Sequence, residues 1–364
     1  MIPIDYIRIE TPDGWHMPKH AANCSWNFDD ITVEEQSGWI VVQAETSKIL
    51  RLQIGWYASF PRNASFMGDA FERGYGDIGF NGMRPDEVFH WYFCVQRAYG
   101  DATCWGVRTN PNAWCAWTIC PNTVDLWLDV RNGDYALDLQ GKSLKICEVI
   151  IRDYPTDSYS AVQSHCRLMA SECKVRNEIS PVVGYNDWYY AYGGNSPKLA
   201  YQSASFLKEI WPQNSEIEPW VVIDDGWQCQ RDNTYNGGPW DKANNKFQDM
   251  KEVADHLKEI GVHPGIWFRP LLAKREDTSD AWILHDNLDG TVVLDPSHSA
   301  VQQKVYDDVA CFVTWGYEMV KHDFTTYDIL GCWGVDMTMQ YQSRPLNFYG
   351  AIAVFVGGCL PVRR

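Results

Sequence analysis

The sequence predicts a multidomain protein in which an antiparallel β part precedes an α/β part. Short alternating runs of apolar residues, separated by turn residues, continue to about residue 152. A helical period of apolar residues follows Pro155, and strands alternate with helices after Pro181. A chain of 364 residues is long enough for roughly two domains.

The first 152 residues have the pattern of a β-sandwich. Apolar and polar residues alternate in runs such as 39–44, 49–54 and 124–130, and turn-forming pairs such as Asn81-Gly82 lie between the runs. Several short strands at this spacing are typical of two packed antiparallel sheets. We therefore expect an N-terminal β-sandwich domain over residues 1–152.

A connector helix is predicted within residues 153–178. The apolar positions that recur near a period of 3.6 residues are Ala161, Val162, His165, Cys166, Met169 and Cys173.

Four strand–helix units are predicted between residue 179 and the end of the chain. The strands lie at 181–188, 220–224, 264–268 and 317–323. The helices begin at Ser196-Pro197, near Lys246 and after Ser297, and the second and third end at Gly261 and Gly316. This alternation fits a (β/α)8 barrel or a doubly wound sheet, and both place function at the C-terminal strand ends.

Length argues for an incomplete barrel. A barrel needs ~250 residues, and the fourth strand already ends at Asp323 of the 364 residues. We therefore expect about four βα units in residues 179–364 and a truncated chain. The uncharged tail at 346–362 reads as a fifth strand or as a segment out of register.

Charge and hydropathy exclude several classes of protein. The net charge of −16 argues against a nucleic-acid-binding protein and against docking on anionic membranes. The sequence contains no run of 18 or more apolar residues, so it predicts no membrane span. The N-terminus lacks the basic and apolar regions of a signal peptide, which predicts a cytoplasmic protein with reduced thiols and leaves secretion open. The sequence leaves the oligomeric state open, a homo-oligomer included.

The sequence predicts no metal and no organic cofactor. Twelve cysteines are present, but none are spaced as C-x-x-C, and no histidine follows them at zinc-finger spacing. The sequence contains neither a G-x-G-x-x-G run nor a Walker-type loop, which argues against a nucleotide-binding protein.

Carboxylates stand at two of the predicted strand ends. Asp224-Asp225 follow the second strand and Asp323 follows the fourth. Such carboxylates suit glycoside hydrolysis or the binding of sugar hydroxyls, although acidic residues also finish strands as helix caps or loop anchors. Lys321 lies two residues before Asp323 and therefore on the same side of the strand. The alternative for this couple is an ordinary ion pair.

Four motifs in residues 183–333 resemble the retaining α-galactosidases of the melibiase and raffinose-enzyme superfamily. The segments are Gly184-Tyr185-Asn186-Asp187-Trp188, Val222-Ile223-Asp224-Asp225-Gly226-Trp227-Gln228, Gly265-Ile266-Trp267-Phe268 and Lys321-His322-Asp323. They occur in the family's order. The resemblance implies a β-sandwich followed by a (β/α)8 barrel, an α-galactoside oligosaccharide as substrate, and no cofactor.

The resemblance also implies roles for individual residues. Asp323 matches the nucleophile, and Lys321 matches a ligand of a sugar hydroxyl. Asp224 and Asp225 match the acidic pair that holds hydroxyls of the terminal galactose, and Trp188 matches the aromatic wall at the first strand end. Trp227 is expected to serve packing.

The chain departs from the family in three places. Phe324-Thr325-Thr326 follow the nucleophile where many relatives have Asn and Arg, and Arg269 stands where many have Glu. The family's acid/base aspartate comes from a later strand, so none is assigned. Three hypotheses therefore remain: a retaining hydrolase, a raffinose-type galactosyltransferase with the same nucleophile, and an inactive sugar-binding fragment. If an acid lies within the chain, Asp328 and Asp336 are the first candidates.

Overall fold

A computed structural model describes residues 2–70, 79–84, 87–97, 100–131, 136–173, 181–232, 234–287 and 289–330. Its contacts divide the chain into two compact units, and the boundary falls between the described segments 136–173 and 181–232. The predicted tail and Asp336 lie outside the described residues.

The first unit is an antiparallel β structure with one helix. Its described strands are β1 Tyr6–Thr11, β2 Gly14–His16, β3 His20–Ala22, β4 Ser25–Phe28, β5 Ile31–Gln36, β6 Trp39–Ala44, β7 Lys48–Ile49, β8 Arg51–Tyr57, β9 Ser65–Asp69, β10 Val88–Gln96, β11 Ala102–Val107, β12 Trp114–Cys120, β13 Thr123–Asp129, β14 Leu137–Asp138 and β15 Ser143–Tyr154. Alternate side chains of β1, β4, β5 and β6 are buried, as their sequence alternation predicts.

The strands of this unit join into one curled sheet rather than two separate ones. Their order is β2-β1-β8-β13-β12-β10-β11-β15-β6-β5-β4-β3, with β9 paired to β10, and β14 pairs with β7 apart from this sheet. The strand β15 is long enough to pair with β6 through its first half and with β11 through its second. Antiparallel β structure is thus confirmed, and β15 connects the two halves into one continuous sheet.

Side chains from both halves of the curled sheet form one hydrophobic core. It contains residues of β1, β4, β6, β12 and β13, with Trp56, Phe93, Trp105 and Trp117 among its aromatic members. The indole of Trp56 contacts those of Trp105 and Trp117 at centroid distances of 5.5 and 5.8 Å. Much of the tryptophan content of this unit therefore serves packing.

The helix of the first unit, α1 Ser158–Met169, begins at its cap Asp157, which accepts the backbone N–H of Ser160. Ala161, His165 and Met169 are its buried residues, as the apolar period predicts. Cys94, Cys104, Cys115 and Cys147 are buried free thiols in this unit.

The second unit contains a parallel sheet and flanking helices. Its elements are β16 Gly184–Asn186, α2 Trp188–Ala191, α3 Pro197–Ile210, β17 Trp220–Ile223, α4 Met250–Ile260, β18 His263–Phe268, β19 Leu272–Lys274, β20 Ile283–Asp286, β21 Thr291–Leu294, α5 Ser299–Trp315, β22 Met319–His322 and α6 Thr325–Leu330, with single 3₁₀ turns at Arg275–Asp277 and Asp280–Trp282. The parallel sheet has the order β16-β17-β18-β22.

Helix ends in the second unit follow local chemistry. Ser196 caps α3, and Gly261 and Gly316 end α4 and α5 in left-handed conformations, as predicted. The expected start of α4 near Lys246 is wrong. Asp249 accepts the backbone N–H groups of Lys251 and Glu252, so the helix begins at Met250.

Aromatic side chains form the core between this sheet and α5. Trp227, Trp240, Trp267, Phe268 and Phe312 are fully buried. The indole N–H of Trp227 donates to the carbonyl of Trp267 at 3.0 Å. Trp227 therefore packs in the core, as expected from the sequence.

Candidate active site

The carboxyl ends of four parallel strands bring the predicted site residues together. Asn186 ends β16, Asp224 follows β17, and Asp323 follows β22. Trp267 of β18 pairs in register with Lys321 of β22. Because parallel strands end at the same edge of a sheet, the side chains at these positions lie close together.

Asp224 is the most enclosed carboxylate of the group, with 2% of its surface exposed. Its Oδ2 accepts hydrogen bonds from Lys321 Nζ at 2.6 Å and from Asn186 Nδ2 at 2.8 Å, and its Oδ1 accepts the backbone N–H of Asp225 at 2.8 Å. Burial pulls the pKa of Lys321 down, but the hydrogen bond and charge of Asp224 outweigh it and raise this pKa. The ammonium is thus held between carboxylates.

Asp323 is oriented by two hydrogen-bond donors and a nearby ammonium, and it is still open to solvent. Its Oδ2 accepts the indole N–H of Trp267 at 2.8 Å and lies 3.6 Å from Lys321 Nζ. Its Oδ1 accepts the backbone N–H of Phe324 at 2.9 Å, where the backbone turns to a φ of +61°. The side chain of Asp323 remains 37% exposed. A fixed, accessible carboxylate of this kind is what a nucleophile requires.

Asp225 has a separate set of partners in the loop that follows β17. Its Oδ1 accepts Gln228 Nε2 at 2.7 Å and lies 3.5 Å from Arg231 Nε, and its Oδ2 accepts Asn236 Nδ2 at 3.5 Å. Burial, at 4% exposure, raises the pKa of Asp225. The structure therefore brings Asp224, Lys321 and Asp323 into direct contact and ties Asp225 to the neighbouring loop.

Asp187 orients the backbone of the acidic pair. Its Oδ1 accepts the backbone N–H of Asp224 at 2.9 Å and the side-chain amide of Asn195 at 3.4 Å. Asn195 also donates to the carbonyl of Asp224 at 3.0 Å. Burial raises the pKa of Asp187 to about 6. Asp187 acts on the site through Asp224.

Aromatic side chains of α2 lie beside the strand ends. The indole of Trp188 is half-buried and packs edge-on against Tyr192 at 5.6 Å. Its backbone N–H donates to Asn186 Oδ1 at 2.9 Å. The next residue, Tyr189, is 74% exposed and lies close enough to Lys321 to contribute to its raised pKa. Two rings, Trp188 and Tyr189, are thus available at the first strand end.

Arg269 directly follows β18 and is one of the residues at which the motif resemblance breaks down. Its guanidinium donates two hydrogen bonds to Asp328, at 2.5 and 3.1 Å, and a third to Asn236 Oδ1 at 2.5 Å. The guanidinium carbon lies 4.3 Å from the ring centroid of Phe324. Asp328 is 2% exposed, and burial raises its pKa. Arg269 therefore links the loop that holds Asp225 to the segment after Asp323.

Sequence reasoning assigned no role to Asn186, Asp187 or Trp267, although all three lie in the quoted motifs. For Trp267 the sequence carried no signal, because its register with Lys321 on the adjacent parallel strand is seen only in the structure. Asn186 and Asp187 end a predicted strand and could have been included on that ground. No cluster of His, Cys, Asp or Glu among the described residues could hold a metal ion, and no described helix is long and apolar enough to cross a bilayer.

Comparisons with solved structures identify the fold. No family model and no curated protein matches the chain. An α-galactosidase from Thermus thermophilus, solved with p-nitrophenyl α-D-galactopyranoside, matches 97% of this chain and 68% of its own at a TM-score of 0.54 and 15% identity. The fold is that of α-galactosidases.

Two further solved enzymes support the same identification. A GH36 α-galactosidase from Geobacillus stearothermophilus, solved with stachyose, matches 87% of this chain at a TM-score of 0.53 and 14% identity. An α-galactosidase from Lactobacillus brevis matches 86% of this chain at a TM-score of 0.52 and 13% identity. This chain spans 54% and 52% of their lengths. The resemblance predicted from the motifs is confirmed at the level of the fold.

Proposed function

We propose that this chain belongs to a glycoside hydrolase that releases terminal α-linked galactose by a retaining mechanism, with Asp323 as nucleophile. One observation carries the proposal. The Lys321 ammonium lies between the buried carboxylate of Asp224, at 2.6 Å, and the half-exposed carboxylate of Asp323, at 3.6 Å. A sugar placed against Asp224 and Lys321 has its reacting carbon within reach of the exposed carboxylate beside them.

The proposed reaction has two displacements. A carboxylate oxygen of Asp323 attacks the anomeric carbon, the glycosidic C–O bond breaks, and the leaving oxygen takes a proton from a general acid. Water then attacks the glycosyl ester, loses its proton to the same group, and releases galactose with its configuration retained. We assign no residue to the acid/base role.

Charge and shape suggest roles for the other site residues. Lys321 and Asp224 supply a donor and an acceptor for adjacent sugar hydroxyls. Asp225 supplies a second acceptor when a sugar hydroxyl replaces Gln228 and Asn236 as its hydrogen-bond donor. Trp188 provides a ring face at the end of β16, and Tyr189 is the more exposed alternative.

The architecture that we propose around the site is the first half of a (β/α)8 barrel. It follows a β domain over residues 1–152 and a connector at 153–178, and it begins at residue 179. Four parallel strands with helices between them support this proposal. In such a barrel, β16 and β22 would each pair with a further strand, because both are edges of the described sheet.

An inactive sugar-binding fragment is the second candidate, and one observation favours it. Asp328, the described carboxyl group that follows Asp323 most closely in the sequence, is held by two hydrogen bonds from Arg269. With both carboxyl oxygens bonded to Arg269 and 2% of its surface exposed, Asp328 has no oxygen free to reach a leaving group. In this case the chain would bind galactosides without hydrolysing them.

Covalent labelling tests the nucleophile. We expect a mechanism-based galactosyl inhibitor to label the 364-residue chain at Asp323, and Asp323→Asn to abolish this labelling while the far-UV circular dichroism stays unchanged. The matched control is Asp307→Asn on the exposed side of α5, which should be labelled like the parent. Undiminished labelling of Asp323→Asn would remove Asp323 from the nucleophile role.

A further inference from the structure

A cavity of about 340 Å³ lies beside the loop that follows β17. The loop supplies Gln230 and Tyr235 on one side, and β19 with the turn at Asp280–Trp282 supplies the other. Small-molecule sites begin at roughly 300 Å³, so the cavity is large enough for a small ligand. The neighbour of Tyr235 in this loop is Asn236, which bonds Asp225.

A buried acceptor in the cavity wall lacks a partner. The Oε1 atom of Gln230 is inaccessible to solvent and accepts no hydrogen bond from any of the described residues. A buried carbonyl oxygen without a donor destabilises the fold that contains it. Gln230 lines the cavity, so a rotation of its side-chain amide would turn this oxygen towards a hydroxyl group of a ligand.

The cavity wall also contains aromatic rings. Tyr235 is 4% exposed, and its hydroxyl donates to the carbonyl of Gly238 at 2.7 Å, which fixes the ring. The half-buried ring of Trp282 lines the opposite side. Tyr235 is too enclosed to present a face to a ligand, so the flat apolar face of Trp282 is the one that suits the C–H face of a pyranose.

The charges around the cavity have both signs. Lys242, Lys274 and Lys304 line it together with Asp241 and Asp277. Lys304 is paired with Asp308 at 2.7 Å, and the ammonium of Lys274 lies 5.2 Å from the Tyr235 ring centroid. A wall with both donors and acceptors matches a neutral ligand that carries many hydroxyl groups better than it matches an anion.

We propose that this cavity is a second saccharide-binding site, which takes a neutral mono- or oligosaccharide through Gln230, Trp282 and the surrounding lysines and aspartates. The site uses none of the residues assigned to the proposed reaction. The proposal of this second site therefore does not depend on the role of Asp323.

Titration of the 364-residue chain with raffinose, followed by ligand-observed NMR, tests this site. The Asp224→Ala variant serves as the background, because it changes a residue at the strand ends that does not line the cavity. In that background, Gln230→Met removes the unpaired acceptor at similar size and should weaken raffinose binding roughly fivefold. Trp282→Ala should weaken it at least as much. Gln213→Met, on an exposed loop away from the cavity lining, is the matched control and should have no effect.

The outcomes separate the two proposals. Raffinose binding that persists in Asp224→Ala and weakens in both cavity variants supports the site, even if the parent is not labelled by a galactosyl inhibitor. Loss of all saturable binding in Asp224→Ala, or equal binding by the cavity variants and the Gln213→Met control, overturns it. Displacement of raffinose by inorganic phosphate also overturns it, because the cavity would then be an anion site. If Gln230→Met fails to fold, as judged by thermal melting, raffinose binding by the Trp282→Ala variant alone tests the proposed site.

Discussion

Asp224 and Asp225 are adjacent carboxylates with different surroundings. Asp224 bonds Lys321 and Asn186 across the sheet, whereas Asp225 bonds Gln228 and Asn236 in the loop. The sequence predicts a pair with one shared role. The hydrogen bonds instead indicate that Asp224 belongs to the charged cluster at Asp323 and that Asp225 also holds a loop in place.

Substitution of either carboxylate is expected to weaken galactose binding more than it changes stability. A hydrogen bond from a sugar hydroxyl to a carboxylate contributes about 1.5–3 kcal/mol, so Asp224→Ala and Asp225→Ala should each weaken binding roughly 10- to 150-fold. Equilibrium titration with galactose and urea unfolding measure the two effects. Variants that bind galactose like the parent but unfold at lower urea would show that the pair is structural.

The raised pKa of Asp187 predicts a pH-dependent stability. Burial raises this pKa to about 6 in the folded chain, above the ordinary value near 4, so the folded state holds the proton more tightly than the unfolded state. The contribution of Asp187 is therefore fully present below about pH 4 and is lost as the pH rises to about 6.

The Asp187→Asn variant isolates this effect, because its amide oxygen still accepts the N–H of Asp224 and cannot ionise. We expect the free energy of unfolding of the parent, relative to this variant, to fall between pH 4 and pH 6. Urea unfolding at several pH values measures it, with Asp255→Asn on the exposed side of α4 as control. A parent and an Asp187→Asn variant with parallel pH profiles would contradict the prediction.

At the scale of elements, strands and most helix ends were predictable, and the start of α4 and the short irregular pieces were not. The centres of β17, β18 and β22 lie within the predicted runs, because β-branched and aromatic residues bounded by polar ones signal buried strands. The small antiparallel sheet of β19, β20 and β21 was not predicted. Its strands have three or four residues each, too few for a period-2 pattern to emerge.

Gly184 shows how closely β16 approaches its neighbour. A Cβ atom on this residue would collide with the carbonyl oxygen of Trp220 and would lie 2.6 Å from its nitrogen. Since these are backbone atoms of the paired strand, they cannot move away without breaking the β16–β17 register.

Gly184→Ala is therefore expected to destabilise the second unit by about 1–3 kcal/mol, the usual cost of overpacking. It should also weaken galactose binding, because Asn186 on the same strand bonds Asp224. Urea unfolding and galactose titration measure the two effects. Gly82→Ala is the matched control, since a Cβ there meets nothing within 4 Å. Equal unfolding midpoints for both variants would mean that the strand pairing is looser than the register indicates.

At the scale of the whole molecule, proton donation limits what the described residues can do. Asp328 is engaged by Arg269, and Asp336 lies outside the described residues. Loss of a general acid costs about 10²- to 10⁴-fold in rate, and a good leaving group recovers part of this loss.

The 364-residue chain should therefore hydrolyse an aryl α-galactoside with a good leaving group far faster than it hydrolyses raffinose. The expected ratio of kcat/KM is about 10² or more, measured with one protein preparation on both substrates. Turnover of raffinose at an ordinary enzyme rate would show that the chain contains its own acid. Asp328→Asn and Asp336→Asn would then identify which residue donates the proton.

The sequence by itself determined the β and α/β halves, most of the helix ends, the motifs and the identity of the charged residues at the strand ends. These follow from local patterns, since side-chain periodicity and capping depend on near neighbours. Only the tertiary structure decided that β15 joins the halves of one curled sheet and that Trp267 and Lys321 both reach Asp323. It also decided that Arg269 binds Asp328. These contacts join residues far apart in the chain, so their geometry depends on strand register and packing.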